Sequence, residues 1–381
     1  MPVQLYGEPK HLGSCQICKD RSPLISTKLG VCLNCIRSKP DKSLRISDQI
    51  HRKTRHVFGL PPRPSTSLGG LQCGQCANNC VISEGQKGFC GLVENQFGKL
   101  KRQGGTAEKG ILEWYYDPLP TNCVSWWFCP GCTGAGYPKF SYSSTAEMGY
   151  SNLAVFYGGC STDCLFCQNW HHRVLPQRHE QAISAEKLAS RINKKIPCIC
   201  FFGGDPSTHM PHALKTSQIA LEAALVQNRI LRLCWETNGR MLLTYATEAA
   251  RLSLESGGNM KFDIKAWDEN LSKVLCGTSN KTALQNFRNI GDEFYSQRPE
   301  LPLLSVSTLL VPGYIDTKEI ENIAKSIANV NPKIPYTLLA FSPAYIMNDL
   351  PTTSREYAHN CYAVAKKYLE NVRVGNDHLL S

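Results

Sequence analysis

The sequence has 381 residues, 42% of them hydrophobic and 19% charged, and 42 Lys and Arg stand against 31 Asp and Glu for a formal net charge of +11. This is the balance of a folded globular chain larger than one average domain, and it excludes disordered and fibrous classes. No uninterrupted apolar run is long enough to span a membrane, and the opening MPVQLYGEPKHLG lacks an apolar leader core, so a cytoplasmic protein is expected.

Cysteine sets this chain apart, with 19 residues. At that frequency a shuffled chain holds about one C-x-x-C pair. Here there are five, at Cys15/Cys18, Cys32/Cys35, Cys73/Cys76, Cys129/Cys132 and Cys164/Cys167. Metal ligation explains the excess. A disulfide framework fits poorly with an odd count, a long chain and no export signal. The positive charge points only weakly to nucleic acid, because metals bound by several thiolates carry negative charge.

In chain order, residues 1–60 carry Cys15, Cys18, Cys32 and Cys35 as C-x2-C-x13-C-x2-C, a ribbon-like quartet for one iron or zinc ion. The basic stretch 40–56 then reads as a solvated linker or helix face. Pro61, Pro62, Pro64 and Gly69-Gly70 mark a boundary. In the second unit, 61–150, Cys73, Cys76, Cys80 and Cys90 are spaced to surround another mononuclear iron or zinc, with Gly85 and Gly88 supplying turns. Cys123, Cys129 and Cys132 form a weaker set, in which Cys129-Pro-Gly-Cys132 is either a redox pair or a turn. Trp114-Tyr115-Tyr116-Asp117-Pro118 reads as aromatic core or as a lid, within a segment (103–150) that otherwise looks irregular.

From 151 onward, strands and helices alternate. Apolar strands are expected at 153–157, 198–202, 231–235, 260–264, 303–310 and 336–341. Between them lie a helix over 213–226, with Leu214, Ile219, Leu221, Leu225 and Val226 as its apolar stripe, and a helix over 317–329 capped by Asp316 and Glu319. A last helix over 354–372 is capped by Thr353 and Glu356. Six such units imply a parallel α/β sheet, either open and doubly wound or a partial barrel, with chemistry at the carboxyl ends of its strands. The barrel region is expected over 151–313 and its carboxyl-terminal end over 314–381. Cys198, Cys200, Cys234, Cys276 and Cys361 read as buried apolar residues.

The first of these strands runs into Cys160-x3-Cys164-x2-Cys167. Three thiolates on one tight loop can hold three irons of a four-iron cluster and leave the fourth open, and a three-cysteine zinc site is the other reading. The next strands end in Gly203-Gly204-Asp205-Pro206, Glu236-Thr237-Asn238-Gly239 and Asp263-Ile264-Lys265, and the fifth leads into Val311-Pro312-Gly313-Tyr314.

On these residues, over about 150–350, the chain resembles the radical S-adenosylmethionine (radical SAM) enzymes, and within them the pyruvate formate-lyase activating enzyme branch. The second motif is similar to their Gly-Gly-Glu-Pro, with Asp205 one methylene shorter than Glu. The resemblance implies a partial (β/α)6 barrel and a [4Fe-4S] cluster on Cys160, Cys164 and Cys167. It implies S-adenosylmethionine contacts from Gly203, Gly204, Asp205, Glu236, Asn238, Asp263 and Lys265. One electron, from a donor such as ferredoxin, would cleave the bound S-adenosylmethionine and release a hydrogen-abstracting 5′-deoxyadenosyl radical. Asp117-Pro118 resembles a segment that related enzymes place near the cluster, which makes Tyr115, or Tyr116, a candidate phenolate at the open iron.

With two cysteine units ahead of the barrel, the whole chain is similar to the methanogenesis marker protein ten family. That likeness implies a cobalamin-dependent methyltransferase acting on the δ-carbon of an arginine in a protein substrate, methyl-coenzyme M reductase. The sequence has no D-x-H-x-x-G cobalamin motif, so residues 314–381 would hold a corrin in another way. Asp117, Asp163 and Asp268 are candidates by placement for the carboxylate that holds the arginine. Two other readings remain open: an activating enzyme for a glycyl-radical partner, without cobalamin, and a zinc-ribbon module binding nucleic acid.

Overall fold

The computed structural model describes residues 12–121, 123–177 and 182–381. The opening stretch read for a leader, and the start of the unit expected over 1–60, lie outside the described residues. The amino-terminal unit pairs β1 (Gly13–Ser14) with β2 (Arg21–Ser22) and continues into α1 (Leu33–Ser38) and α2 (Pro40–His56). A small second unit follows, with ribbon β3 (Leu71–Gln72) and β4 (Val81–Ile82) and hairpin β5 (Val93–Gln96) and β6 (Lys99–Arg102). Phe97 and Gly98 turn that hairpin with φ of 55° and 68°, as a two-residue turn of matching twist requires. Then come β7 (Gly110–Pro118), α3 (Pro130–Thr133), β8 (Ser151–Tyr157), β9 (Ala182–Ile183), α4 (Ala185–Ala189), β10 (Cys198–Gly203) and α5 (Met210–Val226). The chain continues through β11 (Arg232–Thr237), α6 (Leu243–Ser256), β12 (Met260–Asp263), α7 (Glu269–Cys276), α8 (Lys281–Phe294) and β13 (Leu304–Leu310). It ends with α9 (Thr317–Val330), β14 (Tyr336–Ala340), α10 (Arg355–Ala365) and β15 (Val372–Gly375).

Nine strands form one sheet in the order β15-β14-β13-β12-β11-β10-β8-β7-β9. From β8 to β15 every pair is parallel and follows chain order. A doubly wound sheet would reverse direction at a switch point. This one never does, so the partial-barrel alternative is the one realised. All six expected strands are present.

Four expectations need correction. The segment 103–150 is not irregular throughout, because β7 pairs antiparallel with β8 from Leu112↔Tyr157 to Pro118↔Ser151. The last helix stops at Ala365, and residues 372–375 add a seventh parallel strand. Its cap is Ser354, whose side chain accepts from Tyr357 N; Thr353 is buried, accepts from Phe341 N and donates to Leu310 O. On α5, Leu225 and Val226 are exposed, and the inward face is the smaller Ala213, Ala220 and Ala224 with Leu214, which lets the helix lie close to the sheet.

The basic stretch 40–56 is the fourth correction. It is a well-formed helix with Pro40 in its first turn, Asp41 near its amino end, and Lys53, Arg55 and His56 in its last turn. Ser43, Ser47 and His51, spaced by four, and then Thr54 and Arg55 are buried, and the helix packs against α7. A polar face turned inward needs polar partners, and these lie in the cysteine loop described below. The amino-terminal unit also docks elsewhere on the barrel. Arg37 makes a bidentate pair with Asp316 at 2.6 and 2.9 Å, and Tyr314 accepts from Ser26 N and donates to Val31 O. One hydrophobic core runs from Ile25, Leu29 and Ile36 into barrel residues such as Phe201, Trp235 and Phe262. Among the described residues no helix is long and apolar enough to cross a membrane.

Candidate active site

The loop from β8 crosses the carboxyl end of the sheet and carries Cys160, Cys164 and Cys167. Its path depends on glycine. A Cβ on Gly204, at the end of β10, would lie 2.1 Å from Gly159 O, so the two strand-end loops touch backbone to backbone. Asp163 N and Leu165 N donate to Cys276 O and Leu275 O at the end of α7, which pins the loop from below. Thr162 Oγ1 lies 3.3 Å from Cys160 Sγ and 3.5 Å from Cys164 Sγ.

Asp163 anchors this loop from within. Its side chain is fully buried and pairs with three cations or potential cations, Arg173 at 2.8 Å, His51 Nδ1 at 2.8 Å and Arg55 at 3.5 Å. His51 and Arg55 come from α2, so the inward polar face of that helix finds its partner inside the cysteine motif. These contacts were not legible in the sequence. They also correct one expectation: Asp163 is committed to the chain's own cations and faces no substrate. Asp268 caps α7 by accepting from Leu271 N, and Asp117 accepts from Thr121 Oγ1.

The three cysteines lie on the wall of a cavity of about 250 Å3. Gly203, Gly204, Asp205, Glu236, Asn238, Asp263 and Lys265 line the same cavity, so all ten residues expected for cluster and cofactor converge on it. Tyr115 does not line it. It is half exposed on β7 and meets the cavity residue Phe202 edge-on, with ring centroids 6.4 Å apart. Tyr116 donates to Arg191 O.

The charges on this wall are arranged in a chain. Lys261 Nζ sits 2.9 Å from Glu236 and 3.1 Å from Asp263, and Lys265 sits 3.3 Å from Asp263. Burial alone would raise the Asp263 carboxyl, but Lys261 and Lys265 hold it well below the usual carboxylate range. Asp205 is almost fully buried and already accepts from Ser207 N at 2.8 Å, Asn238 N at 2.6 Å and Thr237 Oγ1 at 3.1 Å. Its short side chain therefore ties the end of β10 to the end of β11. Asn238 continues the link, donating to Ser161 Oγ at 3.0 Å and to Cys160 Sγ at 3.6 Å.

This donor set fits a cluster with one open corner, since it offers three soft thiol ligands on one wall and no fourth cysteine on it. The hydrogen bond with Cys276, with Lys265 and Arg173 nearby, brings the Cys164 thiol down to about 6, whereas burial pushes Cys160 up to about 12. His172 also lines the cavity, is buried, and its Nδ1 has no hydrogen-bond partner. Burial keeps this imidazole neutral. An orphaned buried nitrogen facing a polar cavity fits a polar ligand.

The upstream cysteines lie in two groups of different spacing. The sulfurs of Cys15, Cys18, Cys32 and Cys35 all lie within 4.8 Å of one another, as four thiolates at about 2.3 Å from one tetrahedral ion require. Burial pushes the Cys15 thiol up, but hydrogen bonds from the main chain of Cys18, Cys32 and Ile17 outweigh it and bring the thiol down to about 6. Cys73, Cys76, Cys80 and Cys90 line one small pocket on the second unit. Their sulfurs do not close to the spacing of the first quartet.

Residues 154–327 match the model of the radical SAM superfamily. An uncharacterized protein of Methanocaldococcus jannaschii is 24% identical over 320 residues, covering 80% of this chain and 81% of its own. A putative glycyl-radical enzyme activating enzyme of the same organism is 24% identical over 227 residues, covering 58% of this chain and 78% of its own. Among solved structures, a domain of pyruvate-formate lyase-activating enzyme from Bacteroides vulgatus has a TM-score of 0.35 at 20% identity, covering 46% of this chain and 98% of that one. SuiB of Streptococcus suis bound to S-adenosylmethionine has a TM-score of 0.36 at 12% identity, covering 58% and 49%. The matched segment spans most of β8 through most of α9 and includes every residue on the cavity wall but Val124, Leu339 and Asn376. Residues 154–327 are thus similar to a radical SAM domain, and that likeness implies a [4Fe-4S] cluster and S-adenosylmethionine.

Proposed function

We propose that Cys160, Cys164 and Cys167 ligate the [4Fe-4S] cluster, that the wall from Gly203 to Lys265 seats S-adenosylmethionine, and that the enzyme acts on a side chain of a protein substrate. The observation that carries this reading is the convergence of all ten residues on one cavity at the carboxyl ends of the strands. When bound, the cluster and S-adenosylmethionine supply a 5′-deoxyadenosyl radical for hydrogen abstraction. The chain's own residues do the rest. The main chain at Gly203 and Gly204 packs against β8 and its loop, where a Cβ would lie 2.7 Å from Tyr157 N and 2.1 Å from Gly159 O. Asp205 and Asn238 fix the strand ends that would hold the cofactor. Lys261 and Lys265 keep Asp263 ionised, and Lys261 also pairs with Glu236, so the wall carries two cations against two carboxylates. Val124, Phe202, Leu309 and Leu339 supply apolar cover that keeps water from the reacting carbon.

The sequence likeness supports a finer reading, methylation of an arginine δ-carbon in methyl-coenzyme M reductase with methylcobalamin as donor. Of residues 314–381, only Leu339 and Asn376 reach the cavity wall. That pair does not fit a corrin. The relative described as a putative glycyl-radical enzyme activating enzyme favours the second reading, hydrogen abstraction from a partner's glycine.

One anaerobic incubation separates the two. The enzyme, a reductant, S-adenosylmethionine and cobalamin are mixed with an arginine peptide carrying deuterium at the δ-carbon. Methylation adds about 14 Da and moves deuterium into 5′-deoxyadenosine, and a lysine peptide gains far less. A glycyl radical on a partner protein, seen by EPR with no mass gain in the peptide, decides for activation. S-adenosylmethionine cleavage that survives replacement of Cys160, Cys164 and Cys167 together by Ala rejects the cluster assignment itself.

A further inference from the structure

Five arginines are buried among the described residues. Arg55 and Arg173 face Asp163, and Arg232 pairs with Glu147. The Arg298 guanidinium is fully engaged by five main-chain carbonyls, those of Leu301, Ser253, Leu254, Gly258 and Pro302. Arg240 is the exception. It directly follows the Glu236-Thr237-Asn238-Gly239 strand end, is 6% exposed, and makes no ion pair among the described residues. Its Nη1 donates to Ser279 O and its Nη2 to Asn78 Oδ1 at 2.7 Å, while its buried Nε has no partner. A buried cation with an unused N–H lacks an anion.

Thiols flank it on both sides. Ala77 N, next to Cys76, donates to Arg240 O at 2.8 Å, and Cys76 bridges to Met241. Towards the reaction cavity, Arg240 N donates to Asn238 Oδ1 at 2.9 Å, and Asn238 donates onward to Cys160 Sγ. Asn78 closes the link, because it accepts from Arg240 and donates to Ser161 O at 2.8 Å. The Cys73 group and the reaction loop therefore stand back to back, with Cys90 O 3.2 Å from where a Cβ on Gly159 would lie. Of the groups whose ionisation would favour the Arg240 charge, Cys76 and Cys160 act most strongly.

We propose that Arg240 is the counter-ion of the thiolates on both sides, and that it raises the reduction potential of the cluster on Cys160, Cys164 and Cys167. The inference rests on the cluster assignment made above.

Burial pushes the Cys76 and Cys160 thiols up to about 12, so as free thiols they are neutral and leave Arg240 unbalanced. Metal ligation removes their protons and turns each group into an anion. The unused Nε–H is a donor, the partner that an anionic sulfur accepts. A four-iron cluster gains one negative charge when an external reductant supplies one electron. A fixed cation close by in a low-dielectric setting stabilises that reduced form more than the oxidised one. Arg240 does not line the reaction cavity, so it acts through the cluster and touches no cofactor.

The test uses the full chain, reconstituted anaerobically with ferrous iron and sulfide. The reduction potential is measured without S-adenosylmethionine, by dithionite titration with redox mediators, and followed by the EPR signal of the reduced cluster. Arg240→Met and Arg240→Gln remove the charge. Each should shift the reduction equilibrium at least tenfold against the reduced form, about 59 mV to more negative potential. Arg240→Lys keeps the charge without the planar fork and should stay close to wild type. A purely structural clamp predicts another grouping, because Lys and Gln both lose the forked bonds to Ser279 and Asn78. Metal retained at the Cys15 quartet reports a folded chain. Neutral variants with the wild-type potential overturn the proposal, and so does a Lys variant that falls as far as they do. Folded Met and Gln variants that both fail to hold the cluster overturn it too, since Arg240 would then only support the loop. A wild-type chain that assembles no four-iron cluster rejects the cluster assignment itself, and the inference with it.

Discussion

Replacing Asp163 by Ala tests how the amino-terminal unit supports the cysteine loop. In the wild type one fully buried carboxylate faces Arg173, Arg55 and His51, whose side chains are 1%, 2% and 5% exposed. Removing it leaves two buried guanidinium groups without their carboxylate. Breaking a buried pair by removing one partner costs about 3–5 kcal/mol. The net stability of a folded domain is about 5–15 kcal/mol, so the loss is a large share of it. Because the same carboxylate joins α2 to the loop between Cys160 and Cys164, the damage should be local first. Anaerobic hydrogen exchange should show α2 and residues 158–167 opening at least 100-fold more often, as about 3 kcal/mol implies, before β11 and β13 respond. Iron bound in the reaction cavity and S-adenosylmethionine cleavage should fall together, while the Cys15 quartet keeps its metal. Asp163→Asn should lose nearly as much, since it keeps shape but not charge. The double variant with Arg173→Met should be less damaged than the sum of the two single changes, because it leaves fewer buried cations unpaired. Asp163→Ala with wild-type exchange at α2 and full cluster content would refute the reasoning.

Cys15→Ser should cost one bound metal and lower the melting temperature while the cavity cluster still assembles, because a closed four-thiolate site contributes folding energy and has no open coordination position; metal analysis and an anaerobic melt check both. Gly204→Ala should abolish S-adenosylmethionine cleavage, since its methyl group would lie 2.1 Å from Gly159 O and must push the cysteine loop aside; the stability loss should be about 1–3 kcal/mol by denaturant titration. Lys261→Met removes one of the two cations that hold Asp263 low against burial. A depressed carboxylate adds stability above its unfolded pKa of about 3.9, and that stability is lost as pH falls through the folded value. The variant, with a higher folded value, should therefore begin to unfold at higher pH than wild type when acidified, which tryptophan-fluorescence melts at stepped pH will show.

Much of the barrel and its cavity was legible because each signal was local. β8 from Leu153 onward and β10 up to Phe202 are continuous apolar runs, as strands buried on both faces must be. Each cavity residue follows its strand directly, so predicting the strand also placed the motif at the carboxyl end. β7 escaped because Trp114, Tyr115 and Tyr116 stand in sequence and break the period of two; its strand character comes from pairing with β8. β15 escaped because the four residues Val372–Gly375 sit directly behind a helical pattern, which took in Val372.

The polar contacts were illegible for a different reason. Charges on a helix usually face water, and by that rule His51 and Arg55 belong outside. They are inside because Asp163, 112 residues from His51 in sequence, is itself buried. Either partner alone would look like an exposed side chain, and only the two together make burial tolerable. The same holds at the foot of the barrel, where Cys123, Cys129, Cys200 and Cys234 line one small chamber. Cys123 and Cys129 looked like half a metal site, and Cys200 and Cys234 looked like ordinary core residues. Spacing along the chain can identify ligands that share a loop, as at Cys160, Cys164 and Cys167. It cannot identify thiols brought together by a loop and two neighbouring strands, because their proximity is set by the parallel register of β10 and β11. Where a fold brings thiols together through register, the sequence trace is only an unexplained surplus of cysteine, and that surplus was the first unusual feature of this chain.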